Sequence, residues 1–231
     1  MTPLDASRGD GRPQGDLVGR HVPSTFSDRL ARAAVQGLRA CAGGVFARRY
    51  GHRAVVLETI AAVPAMVAAT LTHLRALRTT ADDRGRVRML MNEAENERMH
   101  LMTFVEVYRP GLIERLAIMA AQGGAYVVFC LLYLVSAPTA HRLAAYLEEE
   151  AVISYTHYLA EIDEGRSPNP DAPQMARDYW GLPEDATLWD VVFMVRADEA
   201  AHRDVNHAIA DELAQARDRR PPPIKPHWTA S

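Results

Sequence analysis

Two Glu-x-x-His motifs lie within apolar helical stripes, and this pattern constrains the fold more than any other feature of the sequence. In the first motif, Glu97 and His100 fall among Leu90, Leu101 and Phe104 when the chain is read at helical spacing, because residues three or four apart share one face of a helix. Burying a carboxylate without a partner costs several kcal/mol or raises its pKa until it neutralises. Glu97 is therefore expected to be paired, protonated or bound to a metal.

The pattern recurs later in the chain, each time after an isolated glutamate. Glu199 and His202 repeat the Glu-x-x-His spacing. Glu58 is the only acidic residue of "AVVLETIAAVPAMVAATL", and Glu148 opens "EEEAVISYTHYL". The sequence thus contains, twice, a Glu on one helix followed by Glu-x-x-His on a later helix.

This order matches the ligand set of ferritin-like di-iron carboxylate bundles, in which two helices give one Glu each and two give Glu-x-x-His. Four carboxylates and two imidazoles form an oxygen-rich donor set that suits a pair of iron ions. A single motif would be weak support, and buried Glu–His pairs without metal remain the alternative. We predict an all-α, ferritin-like four-helix bundle with a non-haem site for two Fe ions, whose ligands are Glu58, Glu97, His100, Glu148, Glu199 and His202.

Length and composition limit the other possibilities. The chain has 231 residues and 48% hydrophobic content, which is enough to bury one sizeable core. Its net charge is only −3, and we expect no nucleic-acid-binding surface. Cys41 and Cys130 are the only cysteines, and we expect both to be reduced packing residues, because two cysteines in apolar helices support neither a disulfide framework nor a zinc ribbon.

The sequence divides into three regions. Residues 1–26 are rich in Gly, Pro, Asp and Arg and have no apolar run, so they are predicted to be a flexible arm that is neither a signal peptide nor a good mitochondrial transit peptide. Residues 27–216 form the helical domain, and residues 217–231 form a flexible, Pro-rich tail.

Six helices are predicted in the helical domain. Ser27 is expected to cap the first and Thr187 with Asp190 the last, and Pro64 is expected to bend the second. The second, third, fifth and sixth helices carry the candidate ligands. The predicted bounds are 27–46, 52–78, 86–108, 110–135, 138–165 and 188–216, with "GRSPNPDAPQ" as a loop.

The first and fourth helices are predicted to bind a membrane surface. Residues 116–135 contain no charged side chain and are long enough to span a bilayer. A single crossing would put Glu97 and Glu148 on opposite sides of the membrane, so we expect this helix to lie in one leaflet, or to be core. Arginines beside the stripe of the first helix are placed to meet lipid phosphates, although an ordinary amphipathic helix packed on the bundle is an equally good interpretation. The stripe is Leu30, Ala34, Leu38, Cys41 and Val45, and the arginines are Arg29, Arg32, Arg39, Arg48 and Arg49.

Four stretches of the sequence resemble the signature stretches of the alternative oxidases, the cyanide-insensitive ubiquinol oxidases. They are "RYGHRAVVLETIAAVPAM", "EAENERMHLMTF", "YLEEEAVISYTHYL" and "RADEAAHRDVNH". The resemblance runs from about residue 21 to residue 213. It implies an interfacially bound di-iron enzyme that oxidises ubiquinol and reduces oxygen to water without pumping protons, with the four glutamates as the principal iron ligands.

The resemblance also implies roles for other residues. Tyr155, two helical turns after Glu148, is similar to the family's tyrosine beside the metals and is expected to relay electrons and protons. Asn96 and Asp198, each one residue before a predicted ligand, are candidates to orient the histidines. The quinol pocket is expected to be formed by Arg53, Leu57, Glu150, Ala151 and Ser154, the last where the family is expected to have threonine.

The expected partners are ubiquinol, oxygen, a lipid surface and a second copy of the chain in a homodimer, with no nucleic acid. Without a recognisable transit peptide, the cytoplasmic face of a bacterial inner membrane is favoured, and the matrix face of the mitochondrial inner membrane is the alternative. Two other classes remain open: a soluble di-iron protein that stores iron or removes peroxide, and a membrane scaffold without catalysis.

Overall fold

The fold is all-helical, as predicted. A computed structural model describes residues 19–46 and 50–218, and within these ranges it contains helices and loops but no strand. The helices are α1 (Phe26–Phe46), α2 (Tyr50–Thr79), α3 (Arg86–Tyr108), α4 (Leu112–Val135), α5 (Ala137–Asp163), α6 (Gln174–Trp180) and α7 (Leu188–Asp218).

Two helix pairs form the bundle that carries the predicted ligands. α2 packs most extensively on α3, and α5 on α7. Small and β-branched side chains recur at helical spacing along these faces, so the helix axes approach closely and exclude water. On α7, Val191, Val192 and Val195 are fully buried beside Tyr158 and Leu159 of α5. The packing of these faces also buries the glutamates among them, Glu58, Glu97, Glu148 and Glu199, in the core.

The predicted helix bounds agree with the structure to within a few residues, with one omission. α3 has the predicted bounds, and α2 continues through Pro64 as one helix. The short helix α6 was not predicted. Its seven residues, between Pro173 and Gly181, are too few to show a helical period in the sequence.

The cap predicted for α1 was wrong, and the cap predicted for α7 is confirmed. The Asp28 carboxylate accepts the backbone N–H of Thr25, while the Thr25 hydroxyl accepts the N–H of Asp28, which is a reciprocal capping box. The Ser27 hydroxyl instead contacts Thr139. At α7, the N–H of Thr187 donates to Asp190 at 2.8 Å.

The described end of the predicted N-terminal arm lies against α5 and α7. The backbone N–H of His21 donates to Glu149 at 2.7 Å, and the imidazole of His21 stacks on that of His207. Residues 1–18, 47–49 and 219–231 lie outside the described part of the chain, so the flexible arm and tail, with Arg48 and Arg49, stay predictions.

α4 is apolar and largely exposed, so the alternative that it forms part of the core was wrong. By length and composition alone, two helical segments could cross a membrane: residues 54–79, where 56% of the apolar 18-residue window is buried in the protein, and residues 114–135, where 6% of that window is. The first contains Glu58 and belongs to the bundle core. The exposed side chains of α4 include Leu116, Met119, Val127, Val128, Leu131 and Leu134.

α1 also leaves apolar side chains exposed. It packs on α5 through Ala31 and Val35, while Leu30 and Leu38 of the predicted stripe face outward. Two of the predicted lipid-facing arginines have protein partners: Arg39 pairs with Glu150 at 3.0 Å, and Arg32 contacts the carbonyl of His21.

Candidate metal centre

Four of the six predicted ligands meet in the core of the bundle. Glu58 of α2, Glu97 and His100 of α3, and Glu199 of α7 each offer a ligand atom, and these atoms lie within 4.8 Å of one another. None of the four side chains is more than 2% exposed. A cluster of this size, built from oxygen and imidazole nitrogen, has the donor set and the spacing of a site for a divalent transition metal.

His100 lies between the three carboxylates. Its Nδ1 is 3.2 Å from Glu58 Oε2, 3.6 Å from Glu97 Oε2 and 3.4 Å from Glu199 Oε1. Burial alone would lower the pKa of His100, but the carboxylates of Asp198, Glu199, Glu58 and Glu97 around the ring outweigh burial and raise that pKa well above its usual range. The concentration of negative charge therefore favours a cation at this position.

Several carboxylate oxygens of the cluster have no hydrogen-bond donor. They are Glu97 Oε2 and both oxygens of Glu199. Burial raises the pKa of Glu199 to about 7, with the charge of Glu97 as the next cause, and burial together with the charge of Glu199 raises the pKa of Glu58 well above its usual range. Buried carboxylates without donors are costly unless a cation binds them. The residues present therefore fit a metal.

The two remaining predicted ligands adjoin this cluster in different ways. His202 Nδ1 is 2.8 Å from Glu97 Oε1. Burial would lower the pKa of His202, but this contact and the charge of Glu97 raise that pKa to about 9. Glu148 is buried on α5 but is not one of the four residues within 4.8 Å. Its Oε1 instead accepts a hydrogen bond from Asn206 at 3.0 Å. Glu97 is thus the residue that contacts both histidines.

Asn96 and Asp198 lie behind His100, as their positions next to the ligands suggested. Asp198 Oδ2 is 3.3 Å from His100 Nε2 and accepts an N–H from Asn96 at 3.0 Å and the indole N–H of Trp180 at 2.9 Å. Asn96 also contacts the hydroxyl of Tyr179. Burial would raise the pKa of Asp198, but the interactions with His100 keep that pKa below its usual range. Asp198 is therefore a charged acceptor that orients the His100 ring.

Tyr155 lies next to the cluster, on α5. Its buried hydroxyl donates to Glu58 Oε1, and its ring stacks on Phe104 of α3. Burial, reinforced by the charge of Glu58, raises the pKa of Tyr155 well above its usual range. The phenol is therefore protonated and holds its proton against a predicted metal ligand.

The residues predicted for a quinol pocket are only partly brought together. Leu57 on α2 and Ala151 on α5 are half-buried, and Ser154 is buried on α5. Glu150 faces α1, where it pairs with Arg39. The side chain of Arg53 lies outside the described residues.

Sequence reasoning missed three residues around the cluster. Glu93 is buried one turn before Glu97, and burial raises its pKa to about 7. Asn206 is one turn after His202. Both continue helical stripes that contain predicted ligands, so the spacing of four residues was an available signal. Trp180 carried no such signal, because it lies on the unpredicted α6.

Comparison with known proteins agrees with this arrangement. The family model described as "Alternative oxidase" matches residues 15–211. A mitochondrial ubiquinol oxidase of Mangifera indica is 51% identical over 92% of this chain and 67% of its own length. Ubiquinol oxidase 1a of Arabidopsis thaliana, also mitochondrial, is 51% identical over 92% of this chain and 60% of its own length. A mitochondrial ubiquinol oxidase of Batrachochytrium dendrobatidis is 50% identical over 92% of this chain and 67% of its own length. The chain thus spans about two thirds of these relatives, and it belongs to the alternative oxidase family.

Proposed function

We propose that this protein is a ubiquinol oxidase that uses oxygen as the electron acceptor and forms water at a non-haem di-iron centre. The observation that carries the proposal is the buried cluster of Glu58, Glu97, His100 and Glu199, whose donor-free oxygens need a cation. The names of the relatives, which are about half identical over most of this chain, supply the substrate. Each ubiquinol gives two electrons and oxygen takes four, so two ubiquinols are oxidised for each oxygen.

Iron is the proposed metal, with two ions per chain. Glu58, Glu97 and Glu199 provide carboxylates around one common point, and Glu148 and His202 extend the donor set on one side. When bound, a pair of iron ions would supply the redox chemistry that transfers electrons from ubiquinol to oxygen. The protein contributes a buried environment rich in carboxylates, which favours cations.

The chain's own residues hold protons and orient the ligands. The Tyr155 hydroxyl keeps a proton at Glu58, where it is placed to give a proton and an electron to chemistry at the cluster. Asp198 fixes the His100 ring, and Asn96 and Trp180 fix Asp198. Because these groups are hydrogen-bonded in advance, little reorganisation accompanies the reaction.

The quinol is proposed to bind beside the cluster, between α2 and α5. Leu57 and Ala151 offer apolar contacts for the ring, and Ser154 offers a hydrogen bond to one of its oxygens. Arg53, predicted from the sequence to contact the quinol, stays a prediction. Glu150, paired with Arg39 of α1, links this position to the helix proposed to lie at the membrane. Since the substrate is lipid-soluble, entry from the membrane side would avoid a path through water.

α1 and α4 are proposed to bind one leaflet of the membrane without crossing it. The exposed apolar side chains of α4, together with Leu30 and Leu38 of α1, support this orientation, since contiguous exposed apolar surface marks a membrane or protein contact. An enzyme held on one side of the membrane offers no path for proton pumping, so the reaction is proposed to be non-electrogenic. The enzyme is also proposed to be insensitive to cyanide, as its membership of the alternative oxidase family leads us to expect.

The proposed compartment is the matrix face of the mitochondrial inner membrane. The sequence favoured a bacterial membrane, but the relatives named above are mitochondrial proteins and support the mitochondrial alternative better. A homodimer is also proposed. Apolar residues exposed on α2 and α3, among them Met66, Leu74 and Met91, offer a surface for a second copy.

Oxygen uptake by the purified, iron-loaded protein tests the proposal. The assay uses a short-chain ubiquinol in detergent with cyanide present, and it compares wild type with Glu97→Ala. The matched control is Glu95→Ala, since Glu95 lies on the same helix but is exposed and pairs with Arg98. We expect cyanide-resistant uptake in wild type and Glu95→Ala and none in Glu97→Ala. A wild type that binds two irons but consumes no oxygen with ubiquinol would favour a soluble-type di-iron function instead.

A further inference from the structure

Asn206 of α7 holds two buried glutamates on one side of the cluster. Its Nδ2 lies 2.9 Å from Glu93 Oε1, 3.0 Å from Glu148 Oε1 and 3.2 Å from the carbonyl oxygen of His202. All three neighbours of this end of the amide are oxygens. This end must therefore be the NH2 group, because a carbonyl oxygen there would face three acceptors.

His141 of α5 fixes the other end of the same amide. The Asn206 Oδ1 lies 2.7 Å from His141 Nδ1. An amide oxygen only accepts, so the imidazole carries its proton on Nδ1 and donates it to Asn206. Two further observations agree with a neutral ring: His141 Nε2 is buried without a hydrogen-bond partner, and burial lowers the pKa of His141 to about 4.

These contacts give the Asn206 amide a single favourable orientation. If it rotated by half a turn, its oxygen would face the oxygens of Glu93, Glu148 and the His202 carbonyl. The His141 ring would also have to move its proton to Nε2, which is buried without a hydrogen-bond partner. Both changes leave polar groups unpaired in a buried setting, where such groups are most costly.

We propose that His141 and Asn206 form a positioning pair, in which His141 locks the amide and the amide holds Glu148 in place as a ligand of the second metal ion. Glu148 lies outside the cluster of Glu58, Glu97, His100 and Glu199, and Asn206 is its hydrogen-bond donor among the described residues. The inference rests on the proposed di-iron site. It adds His141, a residue on α5 that acts on the metal only through Asn206 and Glu148.

Anaerobic titration of the full-length, metal-free protein in detergent with ferrous iron tests the pair. We expect wild type to bind two equivalents. In Asn206→Leu and His141→Leu, the affinity for the second equivalent should fall by about 10- to 100-fold, the usual effect of losing a partner that orients a ligand. His141→Asn should recover much of that affinity, because its side-chain N–H occupies the position of the imidazole Nδ1.

Tyr133→Phe is the matched control. The Tyr133 ring packs edge-on against His141, but its hydroxyl contacts Thr72 and not Asn206. Its titration should match that of wild type. A His141→Leu protein that binds both equivalents as tightly as wild type would overturn the proposal, and so would a His141→Asn protein as weak as His141→Leu.

The tautomer of His141 gives a second test that does not depend on whether the leucine variants fold. In 15N NMR of the wild-type protein, the His141 ring should show a protonated Nδ1 and a bare Nε2 at neutral pH. A protonated Nε2 with a bare Nδ1 would overturn the proposal. If wild type binds no iron, the proposed function fails, whereas normal iron binding in every variant refutes only the positioning pair.

Discussion

Asp28 is expected to stabilise the fold by clamping α1 to the bundle, and Asp28→Asn tests this. Its Oδ2 accepts hydrogen bonds from the backbone N–H groups of Ser24 and Thr25, and its Oδ1 accepts one from Arg142 Nε at 3.0 Å. Burial would raise the pKa of Asp28, but these hydrogen bonds and the charge of Arg142 outweigh burial and lower that pKa from 3.8 to about 2. The charged carboxylate is therefore favoured in the folded state.

The pKa shift gives the size and the pH dependence of the effect. At about 1.4 kcal/mol per pKa unit, the charged form of Asp28 contributes about 2.5 kcal/mol to the free energy of unfolding. Because the pKa is lowered on folding, this contribution is fully present above pH 3.8 and is lost as the pH falls through 2. In the variant, Arg142 keeps its contacts with Asp211 and His207, so a much larger loss is not expected.

Thermal unfolding followed by circular dichroism between pH 2 and pH 7 measures the effect. For a chain of this size, a loss of about 2.5 kcal/mol corresponds to about 5–10 °C in Tm at pH 7, and the difference from wild type should shrink below pH 4. Asp204→Asn is the control, since Asp204 also pairs with an arginine but is exposed and should change stability by less than about 1 kcal/mol. A Tm for Asp28→Asn equal to that of wild type at pH 7, or a difference that persists at pH 2, would refute the reasoning.

Three further predictions concern the proposed site and membrane surface. Tyr155→Phe should lower cyanide-resistant oxygen uptake at least about 10-fold through loss of the proton held at Glu58, while iron content stays at the wild-type value; unchanged uptake would remove Tyr155 from the mechanism. Ferrous iron at about 100 times its Kd should raise the free energy of unfolding of the metal-free protein by about 2.7 kcal/mol for each site filled, measured anaerobically, and an iron-independent Tm would contradict binding to the folded state. Leu131→Asp on α4 should reduce binding to lipid vesicles at least about 10-fold, since a buried aspartate costs about 2.5–3.5 kcal/mol in a membrane, whereas Leu77→Asp, equally exposed on α2, should bind as wild type does.

The fold was predictable because its main signals are local. Helix bounds follow from caps, prolines and apolar periods within each segment, and in α3 the buried residues recur at helical spacing from Leu90 to Phe104. The cap of α1 was misassigned because Ser27 and Thr25 are both good caps in sequence, and only the carboxylate of Asp28 three residues after Thr25 distinguishes them. α6 carries too few residues to show a period.

The candidate site was predictable where ligands share a helix face and less so where partners come from elsewhere in the chain. The Glu-x-x-His spacing identified His100 and His202, and apolar surroundings identified Glu58. The contact between His141 and Asn206 joins α5 to α7 across 65 residues, and no spacing rule within one helix encodes it. Its discovery required the packed bundle.

The ratio of ubiquinol oxidised to oxygen consumed, measured in cyanide on protein with two bound irons, tests the central claim most directly. The account predicts two ubiquinols for each oxygen and no hydrogen peroxide, because four electrons reach oxygen before product leaves the buried cluster. One ubiquinol for each oxygen, with peroxide released, would contradict the account: the cluster would then be a two-electron site, and the proposed reduction of oxygen to water would be wrong.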